Sequence, residues 1–165
     1  MPDPLQFQIA QLNSENATAV AAAAEALCQM GRAAQPAAVS LVRASGTDDE
    51  TALAWVAAAL EELGPPPESE IEELVALADD HSTEISFWAI TLLGRAGEAA
   101  SRAVPTLAKQ LRHSPKLAVR ERAAWALGKI GPAAAMAAPQ LHEAAAGGQP
   151  RLSRLAKSAL AAIAG

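Results

Sequence analysis

The chain has 165 residues, of which 51% are hydrophobic, and its formal net charge is −5. Only 3% of the residues are aromatic and tyrosine is absent, whereas alanine occurs 43 times. Alanine has the highest helix propensity, and runs of β-branched residues typical of strands are missing, so the composition excludes a β-rich fold and predicts an all-α protein.

Composition also limits the location and the cross-linking of the chain. The single Cys28 excludes an internal disulfide and a zinc site of the CxxC type. The first residues lack a basic segment followed by an apolar one, and no uncharged run of 18 apolar residues occurs, so neither a signal peptide nor a membrane span is expected. We therefore expect a soluble, cytoplasmic protein.

The first predicted element is a single helix over residues 3–12, where Leu5, Ile9 and Leu12 recur at helical spacing. Pairs of helices follow it in chain order. The apolar pattern predicts first helices near residues 14–30, 48–63, 82–96, 115–130 and 150–164, and second helices near 35–45, 68–79, 101–112 and 134–146.

A repeated leucine–glycine pair fixes the period of this pattern. Leucine is followed four residues later by glycine at Leu27/Gly31, Leu60/Gly64, Leu93/Gly97 and Leu127/Gly131. Another leucine stands ten residues after each glycine, at Leu41, Leu74, Leu107 and Leu141. Leu160 is a fifth anchor, with Ala164 in the glycine position. The glycines are expected to end the first helices at positive φ.

The period divides the chain into units near residues 14–46, 47–80, 81–113 and 114–147, with a half repeat at 148–165 and the helix at 3–12 as an N-terminal cap. We expect residues 1–165 to form one repeat domain. Thr47 with Glu50 resembles a capping box, Ser114 followed by Pro115 resembles an N-cap and first residue, and Pro150 suits a first turn.

The fourth unit, VRERAAWALGKIGP at residues 119–132 followed by APQL at 138–141, resembles the short bacterial HEAT repeat, also called the phycobilisome-lyase-like HEAT repeat. The resemblance implies an α-α superhelix, a solenoid of about five helix pairs with a period of 33–34 residues. It also implies that the first helices lie on the convex side and the second helices on the concave side. The motif is a folding motif, so it does not imply bilin chemistry.

No catalytic motif occurs in the sequence. HExxH, GxGxxG, Walker and GxSxG patterns are absent, and no His or Cys cluster has metal-ligand spacing. Asp79, Asp80 and His81 could touch a cation, but they lie in a predicted loop between repeats, and a solvated acidic turn is the favoured interpretation. We expect a protein that is not an enzyme and has no cofactor.

Charge is divided along the chain. Residues 48–84 hold twelve acidic residues and no Lys or Arg, whereas residues 85–165 hold eleven basic residues and three acidic ones. The two blocks either neutralise each other between the second and third repeats or steer a bipolar or basic partner. The acidic net charge of the chain argues against nucleic acid as a partner.

The aromatic side chains are candidates for partner binding. Trp55 and Trp88 stand nine residues before their anchor glycines, Phe87 ten and Trp125 six, off the core stripe of the first helices. They either pack against the neighbouring first helix or form an exposed ridge. Polar candidates on the second helices are Arg43, Glu73, Lys109, Gln140 and Glu143.

These features predict a protein–protein interaction scaffold or adaptor. The alternatives are a ligand-handling subunit of the bilin-lyase kind and, with less support, a nucleic-acid-binding HEAT-like protein. The last helix carries Leu152, Leu155, Leu160 and Ile163 with no second helix after it. This apolar end predicts a weak homodimer.

Overall fold

The computed structural model describes residues 3–165, and every regular element in that range is a helix. Met1 and Pro2 lie outside the described residues. They belong to the segment on which the prediction of no signal peptide rests. The chain divides into two compact units, Met1–Glu70 and Ile71–Gly165. Within residues 3–165, no helix combines the length and the apolar character needed to cross a bilayer.

The described part of the first unit contains four α-helices: α1 (Pro4–Leu12), α2 (Ala17–Met30), α3 (Ala38–Ala44) and α4 (Glu50–Glu62). Helices α2 and α4 are first helices and pack side by side, while α1 packs on α2 and α3 packs on α4. The predicted single helix at residues 3–12 corresponds to α1.

The second unit contains six α-helices: α5 (Ile71–Leu77), α6 (Thr83–Ala96), α7 (Val104–His113), α8 (Leu117–Ile130), α9 (Ala138–Ala146) and α10 (Pro150–Ala164). The first helices α6, α8 and α10 form one layer, with α8 in contact with both others. The second helices α5, α7 and α9 pack on α6, α8 and α10 respectively. We call these two layers the first-helix face and the second-helix face.

The second helices begin later than their apolar pattern predicts. Each is preceded by 3₁₀ turns, at Gly31–Ala37, Glu68–Glu70, Gly97–Ala103 and Gly131–Ala137. In α7 and α9 a proline, Pro105 or Pro139, lies in the first turn. Proline is tolerated there because its missing N–H has no intrahelical partner, but farther into a helix it would clash with the preceding turn. These prolines therefore limit how far the α-helix can extend backward.

The anchor positions form the core. The four leucines Leu27, Leu60, Leu93 and Leu127 are fully buried, as are Leu41, Leu74, Leu107 and Leu141. The anchor glycines have positive φ at all four positions, Gly31, Gly64, Gly97 and Gly131, as expected. Residues with a Cβ avoid this conformation, so glycine lets the chain turn from the first helix into the 3₁₀ segment.

The fifth anchor is different. Leu160 and Ile163 are only half-buried, and the buried residues of α10 are Leu152, Ala156 and Ala159. Helices α6 and α8, by contrast, each pack against the 3₁₀ segment that follows them. The expected fifth anchor, Leu160, is therefore less buried than the four anchor leucines before it.

Two of the three predicted helix starts are also wrong. The N-cap of α4 is Asp49, whose carboxylate accepts from the Ala52 N–H at 2.8 Å, while Thr47 only accepts from the Asp49 N–H. Helix α8 starts at Leu117, and Ser114 accepts from the N–H of Lys116. Pro150 is the first residue of α10, as predicted. The hydroxyls of Thr47 and Ser114 thus accept hydrogen bonds in the turns that precede α4 and α8.

Candidate partner-binding surfaces

The four aromatic candidates differ in exposure. Trp88 is only 7% exposed, so it cannot belong to an exposed ridge. Helix α6 is buried around most of its circumference, which leaves no free flank at this position. Trp55, Phe87 and Trp125 are half-buried. An exposed tryptophan ridge is therefore wrong for Trp88, and the other rings show only part of their surface.

Trp125 packs against the neighbouring first helix. Its indole lies over Gly94 of α6 so closely that a methyl group at Gly94 would overlap with the ring carbon Cζ3 and would lie 2.9 Å from Cε3. The same methyl group would lie 3.1 Å from Cα of Ala126. Glycine at residue 94 thus makes room for the ring, and the first of the two interpretations of the tryptophans holds for Trp125.

Arg122 links the two half-buried rings of the first-helix face. Its guanidinium carbon lies 4.5 Å from the centre of the Phe87 ring and 5.0 Å from that of Trp125. Lys129 also approaches the Trp125 ring, with Nζ at 5.8 Å from the ring centre. Phe87 meets Trp88 edge to face. A cation over an aromatic face is attracted by its quadrupole, so these groups hold one another in place.

Two cavities lie on the first-helix face, one on each side of Trp125 and Leu155. The first, of about 160 Å³, is also lined by Phe87, Arg122 and Arg151. The second, of about 240 Å³, is lined mainly by small residues of α8 and α10, together with Lys129: Ala124, Gly128, Ser158, Ala159 and Ala162. Both cavities therefore combine apolar side chains with basic ones.

The charge around these cavities is positive. Helices α8 and α10 carry six basic residues, Arg120, Arg122, Lys129, Arg151, Arg154 and Lys157, and one acidic residue, Glu121. Glu121 has a side chain only 13% exposed and pairs with Arg151 at 3.5 Å. The first-helix face therefore exposes Lys129 and Arg151 beside the two cavities, which together we call the trough.

On the second-helix face, several polar candidates pair within the chain. Lys109 binds Asp79 at 2.6 Å, and Gln110 also donates to Asp79. Arg112 and Glu143 lie 3.4 Å apart. The Asp79–Lys109 pair joins the acidic and basic blocks of the sequence, as the interpretation of mutual neutralisation expects.

The remaining polar candidates are placed as follows. Gln140 is half-buried, and its Oε1 atom is buried without a hydrogen-bond partner. Glu73 is exposed on α5, and Arg43 is exposed on α3 of the first unit. Of the polar candidates, Lys109 and Gln140 line the same cavity, of about 310 Å³, together with Met136 and Arg112.

The acidic turn is used structurally. Asp80 accepts from the N–H of Ser82 at 2.8 Å, and Asp79 is engaged by Lys109. Among residues 3–165, no group of three or more His, Cys, Asp or Glu side chains could hold a metal ion. The interpretation of residues 79–81 as a solvated turn agrees with these contacts.

Comparison with known families identifies the chain. Residues 71–161 match the family model described as HEAT repeats, which covers more than half of the chain. The chain belongs to the HEAT-repeat family. The resemblance found in the fourth unit is thereby confirmed. A search of curated proteins found no match.

Solved structures of HEAT and armadillo type share the fold. A designed armadillo repeat protein in complex with the peptide (KR)4 is 20% identical, with a TM-score of 0.68 over 98% of this chain and 82% of that one. The complex of CpcE and CpcF of phycocyanin lyase from Nostoc sp. PCC7120 is 20% identical, with a TM-score of 0.62 over 94% of this chain and 97% of that one. An engineered protein is 21% identical, with a TM-score of 0.65 over 98% and 48%. The predicted fold class, an all-α solenoid of HEAT-like helix pairs, is confirmed.

The sequence interpretation missed Gly94 and Gly128 as parts of this surface. Both stand three residues before an anchor glycine, and both face the next first helix: a methyl group at Gly128 would lie 3.1 Å from Cα of Ala159. Their recurrence at the same repeat position was a visible signal. It indicated that α6, α8 and α10 approach one another closely.

Proposed function

We propose that this HEAT-repeat chain is a protein-binding adaptor that engages its partner through the first-helix face of residues 71–165. The repeat fold itself supports a protein-interaction scaffold, and the named structural neighbours include a peptide complex and a complex of two subunits. The observation that carries the choice of face is the apolar trough beside Trp125 and Leu155, rimmed by Arg122, Lys129 and Arg151.

Partner-binding energy is concentrated in tryptophan and arginine side chains that can be fully desolvated on binding. Trp125 and Arg122 are half-buried before any partner is bound, and their mutual contact orders them in advance. Preordered side chains lose little entropy on association. On the second-helix face, Lys109 and Arg112 have carboxylate partners, as Arg151 has in Glu121 on the first-helix face. Ion pairing therefore does not distinguish the two faces, and the rings do.

A photocrosslinking amino acid tests this proposal in the native cell. We expect p-benzoylphenylalanine at Ala118, an exposed residue beside the first cavity, to give a discrete protein adduct. The same group at Met136, which is 66% exposed near the second-helix face, is the matched control. An adduct from Met136 alone would move the function to the second-helix face, and no adduct from either position would contradict an adaptor.

A ligand-handling subunit of a lyase complex is a second candidate, favoured by the fold shared with the CpcE–CpcF complex along 97% of that chain. On the first-helix face this role would need a tetrapyrrole to enter the trough. Visible absorbance of the protein purified from its native cells measures it directly. A bound pigment would favour this candidate over the adaptor.

The predicted weak homodimer through α10 and the cytoplasmic location also stay proposals. Leu155, Leu160 and Ile163 are half-buried, so each leaves part of its apolar surface exposed on α10. Light scattering over a concentration series, with Leu155→Glu beside the parent, measures self-association. A parent that stays monomeric at high concentration ends the dimer hypothesis.

A further inference from the structure

The second cavity on the first-helix face exists because one side chain is missing from a repeated arrangement. Trp125 stands two residues before its anchor Leu127, and Ser158 stands two residues before Leu160. In the third and fourth repeats, Trp125 of α8 covers Gly94 of α6. In the next step of the stack, Gly128 of α8 faces Ala159 of α10, and Ser158 occupies the place of the tryptophan.

The space left by this replacement is large enough for a ring. The cavity of about 240 Å³ has Gly128, Ala124 and Ala159 as small lining residues and Trp125 and Leu155 as its bulky ones. An enclosed apolar cavity of ~150 Å³ is enough to hold benzene in a well-studied protein. A phenylalanine- or tryptophan-sized group therefore fits, in contact with the indole of Trp125.

The charge around the cavity favours acidic residues on either side of the inserted ring. Lys129 lines the cavity itself, and Arg151 lies at the rim of the adjoining one. Glu121 is the one carboxylate in the two linings; it is only 13% exposed and pairs with Arg151, whose side chain is 68% exposed, so Lys129 and Arg151 dominate the charge that a partner meets. Carboxylates next to the inserted ring would meet these bases, whereas lysine or arginine at the same places would be repelled.

We propose that the occupant of this trough is a segment of a partner protein that inserts one aromatic side chain over Gly128 and flanks it with Asp or Glu residues. The inserted ring takes the place beside Gly128 that Trp125 takes beside Gly94. This inference rests on the proposed adaptor function and names the chemistry of its partner.

A variant that fills the cavity from within the chain provides the test. Ser158 is exposed, so Ser158→Trp restores the missing ring over Gly128 without removing a core side chain. We expect this variant to melt at or above the temperature of the wild type. The matched control is Ser101→Trp, which adds the same ring at another exposed position. Comparing the melting curves of the two variants establishes that both are folded.

The probe is a phage-displayed library of random 12-residue peptides, selected on the full chain. We expect the enriched peptides to share one aromatic residue between acidic residues, to bind Ser101→Trp like the wild type, and to lose at least about tenfold in affinity for Ser158→Trp. We expect a loss of about tenfold for the double variant Lys129→Glu/Arg151→Glu. Its control, Lys109→Glu/Arg112→Glu on the second-helix face, should leave the affinity unchanged.

Four outcomes would overturn the inference. Peptides that bind Ser158→Trp normally and lose affinity for Lys109→Glu/Arg112→Glu would place binding on the second-helix face while leaving the adaptor function intact. Basic or uncharged peptides that Ser158→Trp blocks would contradict the acidic flanks. A wild type that is dimeric by light scattering and a Ser158→Trp variant that is monomeric would make a second copy the occupant. Failure to enrich any peptide would exclude a short segment as the partner, and the crosslinking experiment decides the adaptor function separately.

Discussion

Because Trp125 packs on Gly94, we predict that Gly→Ala, which normally stabilises a helix, destabilises the protein at residue 94. Gly→Ala in a helix interior normally gains about 1 kcal/mol of stability. At Gly94 the added methyl group would overlap with the Trp125 ring and lie 3.1 Å from Cα of Ala126, a backbone atom that cannot rotate away. Overpacking of this kind costs about 1–3 kcal/mol.

With a cost in the upper half of that range, Gly94→Ala should lower the free energy of unfolding by about 1–2 kcal/mol after the propensity gain is subtracted. Each kcal/mol lowers the Tm of a chain of this size by about 2–4 °C. Urea titrations followed by far-UV circular dichroism measure the change without relying on tryptophan fluorescence. The slope of the free energy against urea concentration shows whether the compared variants expose similar surface.

The double variant Gly94→Ala/Trp125→Ala isolates the ring as the cause. In the Trp125→Ala background the overlap with the ring is absent, so Gly94→Ala should be neutral or should stabilise by up to about 1 kcal/mol. Gly128→Ala is the matched control, because the atoms nearest its added methyl group belong to Ala159, with Cα at 3.1 Å, and none of these three belongs to a ring. Equal destabilisation by Gly94→Ala with and without Trp125 would refute the reasoning.

Three further predictions concern the core, a helix cap and the ion pairs. Leu93→Ala and Leu127→Ala should each cost about 2–5 kcal/mol in a urea titration because both leucines are fully buried, and Leu160→Ala should cost less; equal losses at all three sites would contradict the half-buried position of Leu160. Asp49→Ala should cost about 1 kcal/mol by removing the N-cap of α4, and a larger loss from Thr47→Ala would restore Thr47 as the cap. Raising the salt concentration to about 1 M should lower the free energy of unfolding by less than about 1 kcal/mol for each exposed pair such as Arg112–Glu143, and a Tm that rises with salt would show that repulsion outweighs these pairs.

The period of the sequence was enough to predict the core of the fold. Leu93 and Leu127 recur at a fixed distance from their glycines because each repeat must bury the same position against its neighbours. The positive φ of Gly97 and Gly131 was predictable for the same reason. The 3₁₀ segments were not, since an apolar periodicity does not distinguish a seven-residue 3₁₀ stretch from the start of an α-helix.

The candidate surface could be predicted only in part. Trp125 was found as a candidate, but its packing on Gly94 joins two residues that lie 31 positions apart, and the spacing within one helix contains no information on such a contact. The burial of Trp88 was missed because a single core stripe describes a helix with one covered side, whereas α6 is covered on several sides. The pairing of Lys109 with Asp79 depended on the position of α7 relative to the end of α5.

The fit between Trp125 and Gly94 also determines which repeats can stand next to each other. If the fourth repeat were duplicated in tandem, the tryptophan of the second copy would lie over Gly128 of the first copy, as Trp125 lies over Gly94. The second repeat has Glu61 at the matching position and the first has Cys28, so the ring would collide with a side chain if either one preceded the fourth. Gene duplication or deliberate recombination can therefore lengthen this array by copying its fourth repeat. Arrangements that place the first or second repeat directly before the fourth are excluded.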